Sequence, residues 1–89
     1  MNVKSVYTLT QKSFGGRVLH YNLLESSGEN GKVYGVELVT DDGNGLAEKQ
    51  ALENICTCKE KALDLIEYLY ENAVGALHFK DVVEDYIIA

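Results

Sequence analysis

The spacing of the apolar residues changes near residue 57, and this change constrains the fold more than any other feature. Before it, apolar side chains recur at every second position in two segments, 17–25 and 32–40, where they are Leu19, Tyr21, Leu23, Tyr34, Val36 and Leu38. A period of two is typical of antiparallel strands that bury one face. The first half of the chain is therefore predicted to form a sheet with one buried face.

Turn residues separate the predicted strands. Gly15–Gly16 follows a β-branched segment at 3–10, and Asn30–Gly31 lies between the two alternating segments. Both pairs suit the positive φ angles of hairpin turns. The run DDGNG, residues 41–45, ends the third strand, and 48–56 is predicted as a fourth strand with weaker alternation.

After residue 57 the apolar residues follow helical spacing. A stripe at i, i+3, i+4 and i+7 predicts an amphipathic helix over 58–73, and a second stripe predicts a helix over 79–88. The two stripes consist of Ala62, Leu65, Ile66, Leu69 and Ala73, and of Phe79, Val82, Val83, Tyr86 and Ile87.

Local signals predict where these helices begin and end. Thr57 and Glu60 have the Thr-x-x-Glu form of a capping box. Gly75 suits a left-handed cap after the first helix. Leu77 is expected to pack on Val82 as a hydrophobic staple at the start of the second helix.

The predicted fold is α+β, with a four-stranded antiparallel β-meander followed by two C-terminal helices packed on one sheet face. Residues 1–89 are expected to form a single domain, because a chain of 89 residues supports one core. The strands are predicted at about 3–10, 17–25, 32–40 and 48–56.

The second sheet face is the predicted interaction surface. It is expected to carry Val6, Val18, Leu24 and Val39 among polar residues. A core of this size supplies only a few kcal/mol of stability, which a homodimer interface would increase. We therefore predict a homodimer through this face or through a sheet edge.

Charge and composition exclude several classes of partner. The net charge is −6, and residues 46–89 carry four lysines against nine acids. Nucleic-acid binding needs clustered cations, so no nucleic-acid partner is predicted. An acidic surface favours solubility and basic partners. No apolar run is long enough for a membrane span or a signal peptide, so no membrane partner is predicted.

The two cysteines, Cys56 and Cys58, are one residue apart. This is a poor spacing for a disulfide, which predicts reduced thiols and a cytoplasmic location. Zinc usually takes four ligands in two separated pairs, and only one pair is present. A thiol at a helix N-terminus can be reactive. Alternatively, both cysteines are small core residues, and Cys58 extends the first helical stripe.

His78 and Asp81 are the second candidate site. An i, i+3 histidine–aspartate pair can bind a metal or position a general base. The alternative is a histidine at the helix cap, with Asp81 in the first turn favoured by the helix dipole. No catalytic constellation accompanies the pair, so no catalytic residue, metal or cofactor is predicted.

Two segments resemble a known protein group. The run AVGALHFKDVVEDYI, 73–87, resembles the C-terminal His-x-x-Asp-Val-Val-Glu-Asp signature of small clostridial proteins of unknown function, and VYGVEL, 33–38, matches their Tyr-Gly-[Ile/Val]-Glu strand. Gly75 and Ala76 replace a Ser-Pro pair, and Tyr86 replaces a phenylalanine. The resemblance implies a bacterial source and no assigned activity. It is concentrated in the segment that contains His78 and Asp81, which makes these two residues candidates for a site.

Three function classes follow from these observations. The favoured one is a non-catalytic protein-interaction module with an unknown protein partner. The second is a small-molecule-binding or metal-linked regulator that uses Cys56, Cys58 and His78. The third is a hydrolase-like enzyme with His78 as base and Asp81 as the orienting acid.

Overall fold

The computed structural model of the chain describes residues 3–12 and 15–88. It contains four antiparallel strands in the order β1-β2-β3-β4, followed by two helices that contact the sheet. The predicted α+β fold is confirmed. The elements are β1 Lys4–Lys12, β2 Val18–Gly28, β3 Gly31–Asp41, β4 Ala47–Cys56, α1 Lys59–Glu71 and α2 Phe79–Ile88.

One apolar core lies between the sheet and the helices. The six alternating residues of the two central strands are all buried, as the period of two predicts. The helices contribute the buried side chains that face the sheet, which are Ala62, Leu65, Ile66, Leu69, Phe79 and Val83. No helix in the described residues is long and apolar enough to cross a membrane.

Polar side chains of the sheet hold the connection between the two helices. The phenol of Tyr21 donates a hydrogen bond to the carbonyl oxygen of Val74 at 2.8 Å, and Gln50 donates to Ala76 at 2.9 Å. Burial raises the pKa of the Tyr21 phenol, which therefore stays a donor at neutral pH. These bonds fix the 72–78 segment, and with it the start of α2, against the sheet.

The end of α1 differs from the predicted glycine cap. Ala73 has a φ of 47°, and its N–H bonds to the carbonyl of Tyr70 while the N–H of Val74 bonds to that of Leu69. This pair of bonds is a Schellman motif, with Ala73 at the left-handed position. Gly75 does not have a positive φ angle. The residues on both sides of this turn, Leu69 and Val74, belong to the buried core.

Replacing Ala73 by glycine is expected to stabilise the protein. A left-handed φ is unfavourable for a residue with a Cβ, and glycine removes that cost. We expect Ala73→Gly to raise the free energy of unfolding by about 0.5–1 kcal/mol in urea denaturation. The matched control is Ala51→Gly, on a strand where φ is not positive, and it should lower stability instead. A loss of stability in both variants would contradict the assignment.

Two predictions about how the helices begin are wrong. Cys58 occupies the N-cap position of α1 without a side-chain hydrogen bond, so Thr57 and Glu60 do not form a capping box. Leu77 is 86% exposed and does not staple onto Val82. His78 does take the cap position of α2, because its carbonyl accepts the N–H of Val82 at 2.9 Å.

Two bulges interrupt the edge strands. In β1 the register shifts between Ser5 and Tyr7, and in β4 it shifts opposite Tyr34–Val36, where Asn54 has a φ of 56°. Bulges bend an edge strand and re-aim its side chains. The β4 bulge brings the backbone of residues 52–53 across Gly35.

Candidate functional site

The sheet face opposite the helices is uncovered by any other element of the described chain. Its residues alternate with the buried ones, and the register places them in three consecutive rows across the four strands. We call these twelve residues the open face: Lys12, Val18, Asp41 and Ala47, then Thr10, His20, Val39 and Lys49, and then Thr8, Asn22, Glu37 and Ala51.

A hydrogen-bonded ladder crosses the open face. The hydroxyl of Thr8 donates to the Asn22 side-chain oxygen at 2.7 Å, and the Asn22 amide donates to the Glu37 carboxylate at 2.8 Å. The hydroxyl of Thr10 and Nδ1 of His20 lie 3.0 Å apart in the next row. Because these groups bond one another along rows, the face holds them in fixed positions before any partner arrives.

Charge is distributed unequally between the two sides of the molecule. The open face carries two lysines and two acids, which balance. The helices α1 and α2 carry seven acids and three lysines, all exposed, for a net charge of −4. The open face is therefore neutral in a protein whose net charge is −6.

The four residues predicted for an interface take different positions. Val18 and Val39 are half-buried members of the open face. Leu24 is only 7% exposed, and it pairs with Gly35, over which the β4 backbone passes. Val6 is not on this face, because the β1 bulge turns it to pack against the core. Only Val18 and Val39 are available to a partner.

Cys56 and Cys58 lie together at the end of β4 and the start of α1. Both are free thiols, Cys56 half-buried and Cys58 exposed, and the Cys56 thiol lies 3.6 Å from the Cys58 carbonyl oxygen. Burial raises the pKa of Cys56, which lowers its thiolate fraction and its reactivity at neutral pH. The arrangement offers no activated nucleophile at Cys56.

His78 and Asp81 are both exposed, and no hydrogen bond joins their side chains within the described residues. Asp81 lies in the first turn of α2, and Glu84 and Asp85 face solvent, while Val83 is fully buried. Across residues 3–12 and 15–88, no group of three or more His, Cys, Asp or Glu side chains is placed to hold a metal ion. The structure does not bring His78 together with the cysteines into one site.

Glu25 forms the main ion-pair cluster among the described residues. Its carboxylate lies 3.0 Å from Lys32 and 4.0 Å from Lys4, and its side chain is 9% exposed. The hydrogen bond from Lys32 lowers the pKa of Glu25, and the same bond raises the pKa of Lys32. Both lysines are largely exposed, and the cluster lines an open hollow of about 340 Å³ in which the Glu25 carboxylate already neutralises part of their charge.

The hollows on the surface range from about 80 to about 410 Å³ in volume. The one beside Thr40 and Arg17 has a volume of about 80 Å³, well below the roughly 300 Å³ of a typical small-molecule site. A larger hollow of about 260 Å³ lies between α1 and α2 and is lined by Tyr68, Val82, Asp85 and Tyr86. We call it the tyrosine groove.

The sequence pattern does not predict the tyrosine groove. Tyr68 lies outside the apolar stripe of α1, and Tyr86 is one of the stripe residues of α2. The available signal was Tyr68 itself, an aromatic residue that lies outside the apolar stripe on an otherwise charged face of the helix. Its pairing with Tyr86 depends on how the helices cross, which the sequence pattern does not specify.

No curated protein and no solved structure matches the chain significantly. A family model described as "Family of unknown function (DUF6514)" matches residues 2–89, nearly the full length. The resemblance to proteins of unknown function is confirmed at that level, and the chain belongs to the DUF6514 family of unknown function.

Proposed function

We propose that the protein is a non-catalytic protein-interaction module that forms a homodimer through its open face. One observation carries the proposal: both helices pack on the same side of the sheet, and the open face has no covering element in the described chain. Antiparallel sheets can leave one face to water, but here that face also carries the half-buried Val18 and Val39.

Charge supports self-association through this face. Copies of a protein with a net charge of −6 repel one another, and this repulsion is weaker when the contacting surfaces are neutral. The open face has two charges of each sign, while the net charge of −4 on the helices would remain in solvent. The lysines of one copy can then meet the acids of the other across a two-fold axis.

Size supports it as well. The chain has 89 residues, and pairing through the open face would add buried area to a small core.

A charge placed at the centre of the open face is expected to break the dimer. Val39 lies between His20 and Lys49 in the middle row. We expect wild-type protein in size-exclusion chromatography with light scattering to show twice the 9.9 kDa chain mass, and Val39→Asp to show the chain mass alone.

The matched control is Leu77→Asp, which adds the same charge at a side chain that is 86% exposed, in the segment before α2. It should leave the dimer intact, and circular dichroism should show that both variants fold. A wild-type mass of 9.9 kDa throughout the micromolar range would reject the homodimer.

We also propose a cytoplasmic location. The two cysteines are free, as expected in a reducing compartment. Labelling of Cys58 by a thiol reagent in freshly lysed cells, without prior reduction, tests this, because the exposed Cys58 should react at once.

The segment from His78 to Asp85 is proposed as a signature that specifies α2. Within it, His78 caps the helix, Asp81 occupies the first turn and Val83 is buried in the core. These three roles account for the pattern without any catalytic function.

A further inference from the structure

We propose that the tyrosine groove binds an arginine or lysine side chain of a partner protein. The inference rests on the proposed interaction role, and it adds a second surface and the chemistry of the partner. The groove lies between the helices and consists of residues outside the open face, so a homodimer would leave it free.

The two aromatic rings contact each other and together line one side of the groove. The ring centroids of Tyr68 and Tyr86 are 5.3 Å apart, and the ring planes are tilted by 43°, so the rings diverge and do not stack flat. Tyr68 is 46% exposed. A cation within about 6 Å of a ring centroid is attracted by the negative face of the ring.

The groove also offers a counter-charge and an apolar wall. Asp85 lines it and can pair with the guanidinium or ammonium group, while Val82 can contact the methylene chain of the same residue. No lysine or arginine among the described residues lines it. A volume of about 260 Å³ equals roughly eight water molecules, which is sufficient for one long side chain.

The charge of the surrounding surface selects the sign of the ligand. The net charge of −4 on α1 and α2 attracts a basic segment and repels an acidic one. The position of Tyr68 is a separate observation. It lies outside the buried stripe of α1, so its ring is not required by the core.

The test is a titration with a decapeptide of alternating glycine and arginine, followed by amide chemical shifts in NMR. The control peptide has glutamine in place of arginine. We expect the arginine peptide to bind and the glutamine peptide not to bind, with shifts at Tyr68 and Tyr86. Tyr68→Ala should weaken binding about tenfold, whereas Tyr68→Phe, which keeps the ring, should stay within about twofold of wild type.

Matched variants separate the groove from general acidity. Tyr7→Ala removes another exposed tyrosine, on β1, and should not change binding. Asp85→Asn should weaken it severalfold, whereas the same change of charge in Glu29→Gln, on the β2–β3 turn, should not. Equal effects of Asp85→Asn and Glu29→Gln, or unchanged binding in Tyr68→Ala, would overturn the proposal.

Two further arms complete the experiment. If free spermidine binds as tightly as the peptide and with the same dependence on Tyr68, the ligand is a polyamine and the protein partner is rejected. The peptide titration is repeated with Val39→Asp, which should bind normally as a monomer. The experiment therefore distinguishes the absence of peptide binding at the groove from the absence of the homodimer.

Discussion

Gly35→Ala is expected to lower the free energy of unfolding by about 3 kcal/mol, the upper end of the usual cost of overpacking. A Cβ at this position would collide with the carbonyl oxygen of Leu52 and would lie 2.8 Å from the Cα of Glu53. Both are backbone atoms, so no side chain can rotate to make room. The β4 bulge would have to move away from β3, and the pairing around Tyr34 and Val36 would be lost with it.

The control is Gly75→Ala, because no described atom beyond its two chain neighbours lies within 4 Å of a Cβ at Gly75, and its φ is not positive. Its stability should stay within about 1 kcal/mol of wild type. Urea denaturation followed by circular dichroism measures both variants. If Gly35→Ala unfolded at the wild-type urea concentration, β4 would not cross Gly35 as described.

Phe79→Ala is expected to have an effect at least as large, about 3–5 kcal/mol. Phe79 is fully buried at the first position of α2, and Val83 is the other fully buried side chain of this short helix among the described residues. A domain with a total stability of about 5–15 kcal/mol would lose much of it. We expect the amides of α2 to lose protection from hydrogen exchange first, before those of β2 and β3.

Leu77→Ala is the control for Phe79, because it also shortens a large apolar residue at the start of α2 but one that is 86% exposed. It should change stability by less than about 0.5 kcal/mol. Phe79→Leu keeps most of the volume and should fall between the two. Uniform loss of protection across the sheet and α2 in Phe79→Ala would contradict the view that α2 depends on this anchor.

Apolar periodicity was sufficient to predict the sheet, the helices and most of the core. The alternation in β2 and β3 identifies their buried face without reference to tertiary structure, and so does the α1 stripe of Leu65, Ile66 and Leu69. These segments were predictable because one buried face imposes one period. The poor alternation of 48–56 has a physical cause, since the bulge at Asn54 breaks the period of β4.

Features that depend on contacts between distant segments were not predictable. The alternation of β1 predicts Val6 on the second sheet face. The β1 bulge turns Val6 to the core instead, and no local sequence signal marks this bulge. The left-handed position after α1 falls on Ala73 and not on Gly75, and no local sequence signal marks it. The tyrosine groove was not predictable either, because it is formed by residues of both helices and exists only where α1 and α2 meet.

The candidate site was therefore predicted in part. The sequence identified a second sheet face with Val18 and Val39, and the register then supplied the neutral rows around them. His78 and the two cysteines are candidate site residues in the sequence because their side chains are chemically versatile. Their positions at two helix starts give them structural neighbours but no common pocket among the described residues.

The claim that the open face is a self-association surface is tested most directly by NMR with methyl-labelled valine and leucine, over a dilution series from millimolar to micromolar concentration. The methyl signals of Val18 and Val39 should shift with concentration, while those of Val82 and Leu77 on the helical side stay constant. If all four residues kept constant shifts, or if Val82 and Leu77 alone responded, the open face would not be the surface through which the protein associates.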